Sequence, residues 1–170
     1  MVGESATLVD EDPNSRATYA SSPCFMHELD PSFLGYLNRD EIIILLNRLL
    51  EGERAGARGV AEMCKSVDNS QTKSVLRDVA RDEGRFCTML TSHISRLGGG
   101  ASHGTGAFYQ KLVAVDDFTE RLELLNRGQG WVVRKLREAL PRIDDTTLHR
   151  DLNEMLAVHE RNIERCNDLN

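Results

Sequence analysis

Glu53, Glu83, Gln129 and His159 each stand where helical periodicity calls for an apolar residue, near the centre of an otherwise aliphatic stripe. Two carboxylates, an amide and an imidazole are the side chains from which metal centres, acid–base pairs and buried hydrogen-bond networks are built. A carboxylate taken out of water alone is too costly to keep charged, so two of them require a cation, a shared proton or hydrogen-bond donors. His159 can supply one donor or one ligand nitrogen. Asn162, one step further along the same stripe, and Arg127 or Arg85 at stripe margins can supply more donors. Three chemistries follow. The layer is a hydrogen-bond network with one carboxylate protonated or His159 charged. Or it is a mononuclear site for zinc, manganese or iron, with Glu53, Glu83 and His159 as ligands and Gln129 or Asn162 as a fourth. Or it is one wall of a small-molecule pocket to which Phe86 and Trp131 give apolar surface.

The elements that carry these residues are legible in the same periodicity. The stripes Ile42, Leu46, Leu49, Glu53, Gly56, Val60, Met63 and Val75, Val79, Glu83, Phe86, Leu90, His93, Leu97 advance by alternate steps of four and three. So does Leu148, Leu152, Met155, His159, Asn162, Cys166, Leu169, and Gln129 lies on the line of Leu122, Leu125, Val132 and Leu136. That is the pattern of helices packed nearly parallel in a bundle. The first helix starts near Asn38, with Glu41 at capping-box spacing, and reaches Lys65. The second starts at Asn69 or Ser70 and ends at the glycines after Leu97. The third runs from the cap at Asp117, with Glu120 at capping-box spacing, to Pro141, and the fourth covers residues 145 to 169. Each polar residue sits near the middle of its helix, so antiparallel packing brings all four to one height. Gly128 and Gly130 flank Gln129 at a cost of about 1 kcal/mol each in a helix. With Gly56 and Gly84 near the same level, they are expected to allow close helix approach or local distortion.

Residues 98 to 115, GGGASHGTGAFYQKLVAV, form a connection far longer than a helix turn needs. About 18 residues span at most roughly 60 Å, and a helix of about 25 residues is roughly 38 Å long. The segment is therefore long enough to cross the bundle end to end, giving two antiparallel hairpins joined by a long crossover. It follows no strand and lacks a Gly-Lys-Ser ending, which makes it a flexible link rather than a phosphate loop. Residues 1 to 35 hold three of the four prolines and no sustained period, and read as a flexible or surface-wrapped arm; residues 36 to 170 form the bundle.

Composition narrows the function classes. The 170 residues are 40% hydrophobic and 28% charged, enough for one buried core, and only 5% aromatic, which suits an all-α chain. A net charge of −6 and a pI near 5.4 make nucleic acid an unlikely partner. Arg134, Lys135, Arg137 and Arg142 form a basic run that reads as a solvated face or a surface for an acidic partner. Cys24, Cys64, Cys87 and Cys166 include no Cys-x-x-Cys pair and read as reduced thiols, the last three as core fillers. No apolar run approaches a membrane span and the acidic start lacks a leader's apolar stretch, so a cytoplasmic, soluble chain is expected. His93 and His149 read as surface or capping residues at helix ends, and His27 and His103 have no partner in the sequence.

The phrases LNRLLEGERAGARG, VARDEGRFCTMLTSHISRLGG and MLAVHERNIERCNDL, spread over residues 38 to 169, resemble the ferritin-like superfamily, bacterioferritin and rubrerythrin bundles in particular. GAFYQK, LNRGQGWVVRKLREALPR and HERNIERC are similar to a bacterial domain family of that superfamily with no established activity. The resemblance implies a ferritin-like four-helix bundle, and a homodimer, since such bundles commonly pair through helix faces. The superfamily's di-iron pattern has one Glu on each of the first and third helices and Glu-x-x-His on the second and fourth. Glu53 and Glu83 match it. Phe86, Gln129, His159 and Asn162 stand where it has His, Glu, Glu and His. The resemblance thus implies a degenerate di-iron site without ferroxidase or di-iron oxygenase activity, holding no cofactor or a single divalent transition metal. A domain binding at most one metal ion or small ligand is the expected function. A mononuclear metal enzyme and a non-catalytic interaction module are the alternatives.

Overall fold

The computed structural model describes residues 34–169, so the expected N-terminal arm, with Cys24 and His27, lies outside the described residues but for its last two positions. Four long helices carry the bundle: α1 (Arg39–Lys65), α2 (Ser70–Arg96), α4 (Phe118–Ala139) and α5 (Thr146–Asn167), with the short α3 (Phe108–Val113) inside the crossover. Their starts are chemically fixed. Asn38 accepts from the Glu41 amide while the Glu41 carboxylate accepts from the Asn38 amide, closing the capping box read from the sequence. Asn69, Asp117 and Asp145 cap α2, α4 and α5 through their side-chain oxygens. Pro141 has no amide to continue α4, and the chain leaves it through a single 3-10 turn at Leu140–Arg142.

Side-chain contacts fix the helix directions. Arg39 Nε donates to the Leu97 carbonyl at 2.6 Å, joining the start of α1 to the end of α2. The Leu37 amide donates to the Arg142 carbonyl at 2.8 Å, bringing the approach to α1 against the exit from α4. His93 meets Asp151 and Arg165 meets Asp78, so α2 and α5 also run antiparallel. Around the bundle the order is α1, α2, α5, α4, and among the described residues the diagonal pairs make no close backbone approach. The two hairpins and the crossover match the all-α, ferritin-like topology expected from the sequence. No helix among the described residues is long and apolar enough to cross a membrane.

The apolar core is in two parts. One joins Leu46, Leu49, Leu50, Phe86, Leu90, Leu136, Leu152 and Met155, and the other Val60, Met63, Leu76, Val79, Leu112, Leu122, Leu125 and Cys166. Along every long helix, the boundary between them falls at Glu53, Glu83, Gln129 or His159. The aliphatic stripes therefore do two jobs: they close each half of the bundle, and they hold a polar layer between the halves. On α2 the stripe differs from expectation at both ends, with Ile94 fully buried and Leu97 only half-buried at the far one. Leu76 is fully buried and Val75 only partly, because the facing Val60 and Met63 surface lies towards Leu76.

The crossover is docked rather than a flexible link. Leu112 of α3 is fully buried, and a Cβ at Gly59 would come within 2.3 Å of its side chain. At Gly128 a Cβ would stand 2.5 Å from the Phe108 ring, whereas at Gly130 it would meet only the tip of Arg134, at 3.9 Å. The two glycines beside Gln129 thus have different causes. Gly128→Ala is expected to destabilise the fold by about 1 to 2 kcal/mol as Phe108 is displaced. Gly130→Ala is expected to stabilise it by about 0.5 to 1 kcal/mol by removing unfolded-chain entropy. Urea unfolding of the two variants checks the pair, and stabilisation by Gly128→Ala would show that Phe108 does not rest on α4.

Candidate functional site

All four layer residues are buried to within 3% of full enclosure, and all four line one cavity of about 490 Å³ between α1 and α4. His159 occupies the hinge of the arrangement. Its Nδ1 lies 3.1 Å from the Met155 carbonyl, which only accepts, so Nδ1 carries a proton. Its Nε2 lies 3.1 Å from Glu53 Oε1. Burial drags the imidazole's pKa down, but the Glu53 charge and the hydrogen bonds to Glu53 and Met155 outweigh it and hold His159 above its ordinary 6.5. A buried imidazolium–carboxylate pair results.

Glu83 has no such counter-charge. Burial, the nearby charge of Glu53 and that of Asp82 push its carboxyl well above the ordinary range, so it is a neutral acid. Its carboxyl group rests on Gly56, where a Cβ would come within 2.1 Å of Oε2; this is the position where the closeness of α1 to α2 requires glycine. His159 thus faces the Glu53 carboxylate, while Glu83 has no cation beside it among the described residues. The layer is not saturated. Glu53 Oε2, Glu83 Oε2 and Gln129 Oε1 are buried and have no hydrogen-bond partner among the described residues. The Gln129 amide donates weakly, at 3.5 Å, to Asn126 Oδ1.

The other residues singled out from the sequence divide. Trp131 lines the cavity. Phe86 does not: it packs in the core behind the layer, its ring centroid 5.5 Å from that of His159. Asn162 is turned from the layer and donates to Asp82 at 3.1 Å. Arg85 reaches Glu154 and Arg127 reaches Glu123, so neither supplies the layer with a donor. His93 is a correction. It is buried, 2.8 Å from Asp151 Oδ2, with Arg96 on its Nδ1, and so ties α2 to α5 rather than lying on the surface. His103 and His149 are exposed. Burial pushes the Cys87 thiol up to about 12 and the Cys166 thiol to about 11, which makes them protonated core fillers, as expected. In the basic run Lys135 pairs with Glu138 and Arg137 with Glu160, as on a solvated face.

Sequence reasoning missed Phe108, Arg48 and Arg134 as cavity residues. Phe108 stands outside every helical stripe, and its only signal was Gly128, the notch it fills. Arg48 and Arg134 lie on outward faces by periodicity and reach the cavity mouth only through their long side chains. Among the described residues no three His, Cys, Asp or Glu side chains are grouped so as to hold a metal ion.

An all-helical bundle of two antiparallel pairs with a long crossover, carrying polar groups inward at mid-height, defines the ferritin-like class. The bacterioferritin-related protein of Bacteroides fragilis, a dodecameric thioferritin, shares this fold at a TM-score of 0.65 and 14% identity, over 79% of this chain and 87% of that one. The chain belongs to the family described as domain of unknown function DUF6306, whose model matches residues 40–168. No curated protein matches it.

Proposed function

We propose that this is a ferritin-like binding domain whose central layer takes at most one cation or one small, hydrogen-bond-donating ligand. The observation that supports it is the set of three orphaned acceptors, Glu53 Oε2, Glu83 Oε2 and Gln129 Oε1, enclosed on residues that line a cavity of ligand size. Leaving a buried polar group unpaired costs about 1 to 3 kcal/mol, and three of them together favour an occupant that donates to all. The residues do not fit a di-iron pair: Phe86 has no ligand atom, and the Asn162 amide is turned to Asp82. A single divalent ion fits better. Glu53, Glu83 and the Gln129 carbonyl would hold it, and His159 would join only by giving up its bond to Glu53. Such an ion would supply a positive charge to the layer.

Thermal unfolding of the full chain against manganese(II), zinc(II), anaerobic iron(II) and small primary amines tests the reading. An occupant at about 100 times its Kd stabilises by about 2.7 kcal/mol, a shift of several degrees for a domain of this size. The expected result is that at least one class raises the midpoint of the wild type and leaves that of Glu53→Gln/Glu83→Gln unchanged. Silence to every probe would overturn it.

A further inference from the structure

We propose that the cavity binds a small zwitterionic amphiphile: a primary ammonium group among Glu53, Glu83 and Gln129, a short apolar body against Trp131 and Phe108, and an anionic group held at the mouth by Arg48 and Arg134. This rests on the layer being a binding site and specifies its occupant.

The floor matches an ammonium in number and kind. A primary ammonium carries three N–H donors and one positive charge, and the residues of the floor carry three orphaned oxygens, two of them on carboxyl groups, which small side-chain shifts must turn to the cavity because each is closed to water. Zinc, copper and nickel favour nitrogen or sulfur ligands, yet both nitrogens of His159 are engaged, with Met155 and with Glu53. Calcium, magnesium or manganese asks for about six or more oxygens or retained waters.

The mouth supplies the opposite charge at a defined distance. Arg48 precedes Glu53 by five positions on α1, and Arg134 follows Gln129 by five on α4. Because α1 and α4 run antiparallel, both steps lead towards the same end of the bundle, by about 7.5 Å at about 1.5 Å per residue. Both arginines line the cavity and are exposed. Among the described residues neither has an ion-pair partner, whereas Arg127, on the other side of Gln129 along α4, is engaged with Glu123. Glu51 is also at the mouth, but its carboxylate accepts from the Ser102 hydroxyl. Between floor and mouth α4 gives the wall Trp131 and Val132, and Phe108 closes it beside Gly128. Charges of opposite sign at the two ends of an apolar passage select a ligand that is itself dipolar.

Trp131 is the sole tryptophan of the chain and lines this cavity and the adjoining groove of Ile44 and Lys135, so its emission reports binding on this face of the bundle. The full chain is titrated with ε-aminocaproate, hexylamine, caproate and, separately, manganese(II) and zinc(II). A saturable change with ε-aminocaproate, binding about tenfold weaker for hexylamine and none for caproate supports the proposal. Arg48→Ala/Arg134→Ala, made at exposed positions, should bring ε-aminocaproate down to hexylamine, and Glu83→Gln, isosteric with the neutral acid, should abolish both. Far-ultraviolet circular dichroism checks that each variant is folded. Caproate binding as well as ε-aminocaproate, or an arginine pair without effect, overturns it. Response to a metal ion and to no amine overturns the amphiphile while leaving the binding site standing, and silence to every probe overturns both.

Discussion

His159→Leu is expected to lower the unfolding free energy by about 3 to 5 kcal/mol, the largest loss for any single side chain of the layer. The substitution keeps apolar volume and removes only the positive partner of Glu53. Both members of the pair are 1% exposed, so water cannot replace what is lost. Glu53→Gln is a milder change of about 1 kcal/mol, because the new amide donates to Nε2 of a neutral His159 whose Nδ1 still bonds the Met155 carbonyl. Replacing both partners, as His159→Leu/Glu53→Met, should recover most of the loss, since a buried pair is often no more stable than well-packed apolar groups. Wild type, His159→Leu, Glu53→Met and the double variant form a double-mutant cycle read by urea unfolding. A cost below about 1 kcal/mol for His159→Leu would mean that Glu53 is not held as an anion by this imidazole.

The second large effect is on pH dependence. Glu83 has its folded pKa raised above its ordinary 4.5, so its contribution is fully present below 4.5 and is lost as pH rises through the folded value. His159, raised above 6.5, behaves alike from a higher starting point: its contribution is full below 6.5 and is lost as pH rises through its own folded value. Each retained proton costs up to about 1.4 kcal/mol per pH unit over its window. The acid limb has the opposite sign. Asp78 is held below its ordinary 3.8 by its hydrogen bond to Arg165, and Asp145 by the Leu148 amide. Asp151 is lowered too, because His93 and Arg150 outweigh its burial. These three contribute above 3.8 and lose that contribution as pH falls through the lowered values. Stability should therefore peak on the acid side of neutrality and decline towards alkaline pH. Glu83→Gln, which needs no proton, should flatten the decline by about 1.4 kcal/mol per pH unit above 4.5. Unfolding free energies across pH 4 to 9, by the same assay, check both statements; parallel profiles for wild type and variant would show that Glu83 is not the retained acid.

The four long helices, the caps at Asn38 and Asp117 and the height of the polar layer were determined by the sequence itself. Each follows from local rules: a 3.6-residue period, an asparagine or aspartate that can bond the first free amides, and a proline that cannot extend a helix. Glu53, Glu83, Gln129 and His159 interrupt their stripes at matching depth, so any antiparallel bundle of these helices buries them together. The pairing within the layer was beyond that logic. Periodicity gives a residue's face, but not which neighbour its polar atoms reach, and Asn162, on the right face, turns instead to Asp82, on the margin of α2. Tertiary structure alone decided that His159 neutralises Glu53 and leaves Glu83 to keep its proton, because that depends on separations of a few ångströms between different helices. It also decided that the crossover closes one side of the cavity. The notch at Gly128 and the ring of Phe108 lie twenty residues apart, and no local rule connects them until α3 is folded against α4.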